Sequence, residues 1–300
     1  MAVLTGTVER TSQPPRLRAV SRLRELVARR EVLGNLVRKE LKVKYTASAL
    51  GAVWSVLNPI VFLAVFSFVV RVTNNGFPGF PIYLLAGLLP WNLFSAAVNN
   101  GARAVIDNAN LVKKVAFPHE VLPLSAIGVA SVDFLLQSAV LLAFVVVSGH
   151  GLRFPELALY PLAVVALLVI TTATVVWLSA LNVRYRDVQH LLAIGLLVWF
   201  WLTPIVYAGA LVSSAFGDRT VLGVRLWDLY LVNPMTPIVL GFQRAVYGVV
   251  APAGAGPVLP DVSVGWLATV LVAEIALGLG LLRLAWGGFF DRSGDFAEDL

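Results

Sequence analysis

Six stretches of this sequence are long and apolar enough to cross a lipid bilayer, and that fixes the solvent in which the chain must fold. They cover residues 52–70, 82–102, 121–148, 157–181, 191–207 and 264–284, close to the roughly 20 residues a helix needs to traverse the hydrocarbon. Backbone groups in lipid find no water, so they must bond within their own segment, and these runs predict an all-α integral membrane protein with six transmembrane helices. The composition agrees: 58% of the 300 residues are hydrophobic and 13% charged, against about 25% charged in an ordinary soluble domain. A seventh apolar run, residues 229–250, carries Asn233-Pro234, Pro237, Gly241 and Arg244. These interrupt a straight lipid-facing helix and predict two short re-entrant helices at the outer side before the last span. An interfacial or wholly external segment is the competing reading.

Lys and Arg set the orientation. Of the 23 such residues, 11 precede Gly51, and with the N-terminus inside, the short loops and tails divide 18 inside to 5 outside. This bias predicts cytoplasmic termini, with the N-terminus better determined than the C-terminus. The net charge of +6 is therefore topological and not a nucleic-acid footprint, which would need a basic soluble face. The first 40 residues hold no apolar leader core, so no cleavable signal peptide is expected. Residues 1–16 read as disordered, 17–50 as a cytoplasmic amphipathic interface helix interrupted near Gly34, 51–290 as the membrane domain and 291–300 as a cytoplasmic tail. Between spans two and three, residues 99–118 are too polar for lipid and predict a short helix protruding into the cytoplasm, closed at Phe117-Pro118. Asp187 is placed to cap the helix that follows residues 182–187.

Several chemistries lack their motifs. None of the five lysines follows a glycine, so the phosphate-cradling loop of an ATPase is missing and the chain is not expected to be an enzyme. His119, His150 and His190 lack metal-ligand spacing, the absence of Cys excludes thiolate sites, and no metal is expected. Inside the spans, Asp133 and Glu274 are the ionisable groups that a proton-coupled carrier would use. Asp133, with Gln137 one turn on, fits better as a neutral, hydrogen-bonded helix contact. Aromatic residues are frequent, and most suit interface belts or helix packing. Phe62 and Phe66 share a helix face by their spacing, and Trp199-Phe200-Trp201 precedes Pro204, where a kink is expected. Such faces can stack on sugar rings without fixed hydrogen bonds.

Residues 39–54 (KELKVKYTASALGAVW), 85–94 (LAGLLPWNLF) and 110–118 (NLVKKVAFP) together resemble the permease subunit of ABC-2 class ATP-binding-cassette exporters. The likeness is to the branch that exports polysaccharide, teichoic acid and O-antigen. Residues 182–187, Thr203-Pro204, 233–237 and 294–300 continue the likeness in order. The resemblance implies a homodimer in a bacterial cytoplasmic membrane with two copies of a separate ATPase, which would hold the ATP and Mg that this chain does not. The implied cargo is a polyprenyl-diphosphate-linked glycan moving outward through a channel at the dimer interface. It also implies roles for individual residues. Trp54, Phe62, Phe66, Trp199, Phe200, Trp201 and Tyr207 would line the path. Arg38, Lys42 and Lys44 would meet the lipid diphosphate, unless they only anchor the helix to lipid. The N-terminal helix with Asn108, Asn110, Leu111, Lys113, Lys114, Phe117 and Pro118 would contact the ATPase, and Asn233, Pro234 and Pro237 would form an outer gate. An ABC-2 exporter of drugs or small lipids, a carrier working through Asp133, and a glycan-assembly enzyme without supporting motifs are the alternatives.

Overall fold

A computed structural model describes residues 30–46, 51, 53–73, 76–115, 117–217, 219–221, 223–252, 256–296 and 300. The expectations for residues 1–16 and for the first half of the amphipathic helix lie outside the described residues. Among those described, the regular structure is all helical apart from one two-stranded hairpin, β1 (Thr220–Val221) with β2 (Val224–Arg225), joined through Gly223 at φ 80°. Such a left-handed turn position favours glycine.

Helix α1 (Arg30–Thr46) runs unbroken through Gly34, which corrects the expected interruption. An isolated glycine lowers helix propensity by only about 1 kcal/mol relative to alanine. The docking of α1 on a neighbouring helix, described below, supplies tertiary support. Five helical segments are long and apolar enough to cross a membrane: α2 (Val53–Thr73), α3 (Phe80–Asp107), α5 (Val121–Val147), α6 (Phe154–Leu157) continuing into α7 (Leu159–Arg184), and α12 (Val264–Ser293). The predicted fifth span is the exception. Its helix, α8 (Val188–Trp201), has 14 residues, or about 21 Å at 1.5 Å per residue. It stops before Pro204 instead of kinking there, since proline disfavours helical backbone in the residue before it. Asp187 stands at the start of α8, but its side chain makes no capping bond; only its backbone carbonyl accepts, from the amides of His190 and Leu191.

Beyond α8 come α9 (Gly209–Phe216), the hairpin, α10 (Leu226–Leu231) and α11 (Met235–Val246). The last two divide the 229–250 run at Asn233-Pro234, and α11 is buried along nearly its whole length. Short α4 (Ala109–Lys114) follows α3 directly.

The bundle is centred on α3. Its small residues permit close approach: a Cβ on Gly101 would sit 2.4 Å from Val175 Cγ1 of α7, the kind of contact on which membrane helix pairs depend. Helices α7 and α12 run parallel, because Gly241 of α11 lies between Ala163 and Leu271 near their starts while Gly278 abuts Val169 and Ile170 further along. The chain must therefore return to the opposite end between them, and α8 with residues 202–208 makes that return. At the end where α7 and α12 finish, Val183, Phe289 and Phe296 form a second core with Val105 and Val112. Leu36 of α1, Phe117 and Leu300 pack against it. The first and last described segments thus share one end of the bundle.

Candidate functional site

At that end, α1 lies against α5. Ser125 Oγ donates to Glu40 Oε1 at 2.9 Å, and two further groups of α1 converge on Asp133. Lys44 Nζ forms an ion pair with Asp133 Oδ2 at 2.5 Å, the Tyr45 hydroxyl donates to Oδ1, and Ser55 Oγ of α2 donates to the same oxygen at 2.8 Å. Burial, reinforced by the adjoining carboxylate, pushes the Tyr45 phenol above its ordinary value, so it remains a donor. Asp133 is therefore the acceptor of an ion pair, which corrects the expectation of a neutral contact with Gln137. A carboxylate in an apolar bundle is stabilised best by a cation with additional donors, and α1 supplies both. Gln137 serves a neighbouring link: its Nε2 donates to Ser55 O at 2.8 Å, while its Oε1 accepts from Asn92 Nδ2 at 3.3 Å.

These residues border a cavity of about 270 Å³ between α1, α2, α3 and α5. Its wall is mixed, with Asn58, Asn92, Ser95 and Asn99 beside Lys44 and Asp133, apolar surface from Leu93, Ala96, Ala130 and Phe134, and Trp54 at the rim. Arg38 and Lys42, the other two cations assigned to the lipid diphosphate, are exposed on α1 and do not line it.

The aromatic residues fall into a row. Phe62 stacks on Phe66 with centroids 6.1 Å apart and meets Phe200 edge-on at 6.3 Å. Phe200 in turn touches Trp91 at 5.6 Å and Trp201 at 5.5 Å. Five aromatic residues on three helices, α2, α3 and α8, are thus joined in one row. Trp199 points instead into the core, edge-on to Phe94 at 5.0 Å. Trp54 is apart from the row, at the polar cavity. Next to α2 and α8 lies a broad apolar surface, including Val61, Val65 and Phe68 on one and Leu191, Ile194 and Leu197 on the other.

At the opposite end, Asn233 is a hub. Its Oδ1 accepts from Trp199 Nε1 at 2.6 Å and from the Met235 amide at 3.0 Å. Its Nδ2 donates to Leu202 O and Thr203 Oγ1, each at 3.2 Å. Pro234 occupies the first position before α11 and Pro237 is buried within its first turn. Gln243 Nε2 donates to Pro204 O at 2.8 Å, and the Tyr83 hydroxyl donates to Tyr207 O at 2.8 Å. The break at 202–208 is therefore stitched to α3 and α11 by side chains that take the place of the missing helical bonds. Tyr207 and Tyr230 hydroxyls lie 3.0 Å apart, beside an apolar cavity of about 500 Å³ lined by Trp201, Leu229 and Phe216 among others.

The 108–118 segment presents a mixed face. Asn110, Lys113 and Lys114 are exposed, whereas Leu111 and Phe117 pack on the second core. Asn108 is turned inward, its Nδ2 donating to Ala104 O at 2.9 Å, and Pro118 is half-buried. Phe117 meets His119 edge-on at 5.4 Å. Burial holds the His119 imidazole below its ordinary value, which keeps it neutral against this apolar contact.

Residues 31–247 match the ABC-2 type transporter family. The chain belongs to that family. Among curated proteins, this ABC-2 transporter chain is 33% identical over 282 residues to the O-antigen export system permease protein RfbA of Myxococcus xanthus, covering 93% of this chain and 98% of the relative. It is 28% identical over 215 residues to an O-antigen export system permease protein RfbA of Klebsiella pneumoniae, covering 71% and 79%. To the polysialic acid transport protein KpsM of Escherichia coli it is 22% identical over 253 residues, covering 82% and 90%.

In this ABC-2 transporter chain the sequence reading named Phe62, Phe66, Phe200 and Trp201 of the row but not Trp91, singled out Asn233, and missed the polar cavity as such. Asn58 and Asn92 stand singly in apolar runs, and Asn99 opens the polar segment 99–118. The signal available was a periodic one: Asn92, Ser95 and Asn99 recur at three and four residues, one face of a helix.

Proposed function

We propose that this chain is the membrane-spanning subunit of an ATP-driven exporter, and that its cargo is a polysaccharide built on a polyprenyl diphosphate. The observation that carries the reading is the 33% identity to an O-antigen export permease over nearly the full length of both chains. The structure offers supporting geometry. The aromatic row lies beside an apolar surface of α2 and α8 broad enough to receive a second copy, and the exposed face of α4 lies at the end where both described terminal segments meet. In this reading the subunit is a homodimer in the inner membrane, with the row facing a shared path. Two copies of a separate ATPase dock on α1 and on the 108–118 segment. The shared end of the bundle is the cytoplasmic one, as the Lys/Arg bias requires, and α8 with residues 202–208 completes a sixth crossing. Helices α10 and α11 re-enter from the outer side, with the Asn233 hub as the gate. The lipid diphosphate meets Arg38 and Lys42.

Purification of the full chain in mild detergent tests this: it is expected to bring down a nucleotide-binding ATPase and to run as a dimer. A monomer without such a partner would overturn the reading. A second cargo class, a small lipid or apolar drug, is favoured by the 500 Å³ apolar cavity beside Tyr207 and Tyr230. ATPase stimulation by such compounds, without loss of surface glycan on deletion, would select it.

A further inference from the structure

The polar cavity between α1, α2, α3 and α5 has a charge balance that bears on what it can hold. Its two ionised groups, Lys44 and Asp133, are paired with each other, so the cavity is close to neutral. A phosphate placed there would have to displace the carboxylate from Lys44, and would meet it as a like charge. The rest of the wall is mixed: Ser55, Asn58, Asn92, Ser95, Asn99 and Gln137 give it amides and hydroxyls, and Leu93, Ala96, Ala130 and Phe134 give it apolar surface. Asn58 and Asn99 lie at the exposed edge, and among the described residues neither side chain makes a hydrogen bond. Each offers one acceptor and two donors, a set that matches groups which both give and take hydrogen bonds, as sugar hydroxyls do. The 3.3 Å link from Asn92 to Gln137 is long for a hydrogen bond and can be exchanged for one to a ligand. Trp54, 52% exposed at the rim, adds an aromatic face of the kind that packs against the C–H side of a pyranose.

We propose that this cavity seats one neutral sugar ring of the lipid-linked cargo, the ring next to the diphosphate, and leaves the diphosphate to the exposed Arg38 and Lys42 of α1. The proposal rests on the polysaccharide-export reading and adds a recognition element to it. Asn58 and Asn99 bind the ring, and Asn92 completes the set once Gln137 releases it. The Lys44–Asp133 pair acts as a positioning element: it holds α1 against α5 and keeps the seat free of net charge. A carrier lipid without its sugar is therefore not retained there, and the seat distinguishes loaded carrier from empty.

The full chain in lipid nanodiscs is titrated with three probes: undecaprenyl diphosphate, undecaprenyl-diphosphate-N-acetylglucosamine and free N-acetylglucosamine, with binding followed by native mass spectrometry. The glycosylated lipid is expected to bind about tenfold tighter than the bare one, as two or three net hydrogen bonds allow. The double variant Asn58→Ala/Asn99→Ala, which removes only exposed side chains, is expected to erase that difference and leave the bare lipid's affinity unchanged. Asn92→Leu serves as the second variant and should erase part of it. A difference that persists in both variants overturns the proposal, as does an equal loss of both lipids. Free sugar binding as tightly as the lipid-linked form would make this a site for soluble sugar and also overturn it. A wild-type chain that binds neither lipid overturns the export reading itself, and is told apart from the other failures by the absence of any lipid complex.

Discussion

Helices α2 and α3 are both apolar and both long enough to span, yet α3 buries 78% of its most apolar stretch and α2 only 11%. The contrast follows from side-chain size. Where α3 faces its neighbours it carries Gly87, Ala97, Gly101 and Ala102, and small residues let helices approach closely, the main source of association where lipid is as apolar as the side chains. Helix α2 carries Val and Phe around most of its circumference and touches the bundle through few residues, chiefly Ser55, Pro59, Phe62 and Phe66. One helix is finished by its own chain; the other presents a surface that only lipid or a second protein can cover.

That contrast can be broken by mutation. The largest effect is expected at Phe94 of α3, fully buried between Trp91 and Trp199: Phe94→Ala should cost about 3–5 kcal/mol, read as a fall in thermal unfolding temperature in detergent. Retained stability would mean that α3 is not the central support. Next comes Asn233→Leu, which strips the hub at once from Trp199, Met235 and Thr203. A loss of about 2–3 kcal/mol is expected from the unpaired groups left behind, together with loss of transport in a complementation assay. Normal transport would remove the hub from any gate.

A smaller effect is expected from Asp133→Asn, about 1 kcal/mol, because Lys44 is 39% exposed and solvent screens the pair. Limited proteolysis should show α1 loosened, while export continues and still depends on ATP; abolished transport with an intact fold would revive the proton-carrier alternative. The smallest change is expected at Phe68, which is 67% exposed on α2. Phe68→Ala should shift monomer stability by less than about 0.5 kcal/mol, yet weaken dimerisation measured by cross-linking. No change in self-association would assign the α2 face to lipid.

Length and hydropathy placed α2, α5 and α7 within about three residues of their observed bounds, because a span is a local property of the chain, whereas α3 and α12 run on past the expected 102 and 284 to Asp107 and Ser293. Proline chemistry likewise located the breaks at Pro204 and Asn233-Pro234. What the sequence could not express was pairing at a distance. Lys44 and Asp133 are 89 positions apart, and nothing in either segment marks the other as its partner. The polar cavity was hidden for the same reason, since it takes one asparagine from α2, two from α3 and a glutamine from α5. The continuity of α1 through Gly34 was missed because propensity was weighed without the tertiary contact that outweighs it. For Trp199 the grouping with its sequence neighbours misled, since successive helical residues point about 100° apart and only Phe200 and Trp201 join the row.

The shortness of α8 extends beyond the protein to the membrane around it. A helix of 14 residues covers about 21 Å, whereas the hydrocarbon layer is about 30 Å thick. In the proposed sixth crossing the remaining distance falls to residues 202–208, which are mostly buried against α3 and α11, so any mismatch on the lipid side of α8 would be met by compression of the acyl chains. In that arrangement the bilayer would thin beside the helix that carries Phe200 and Trp201.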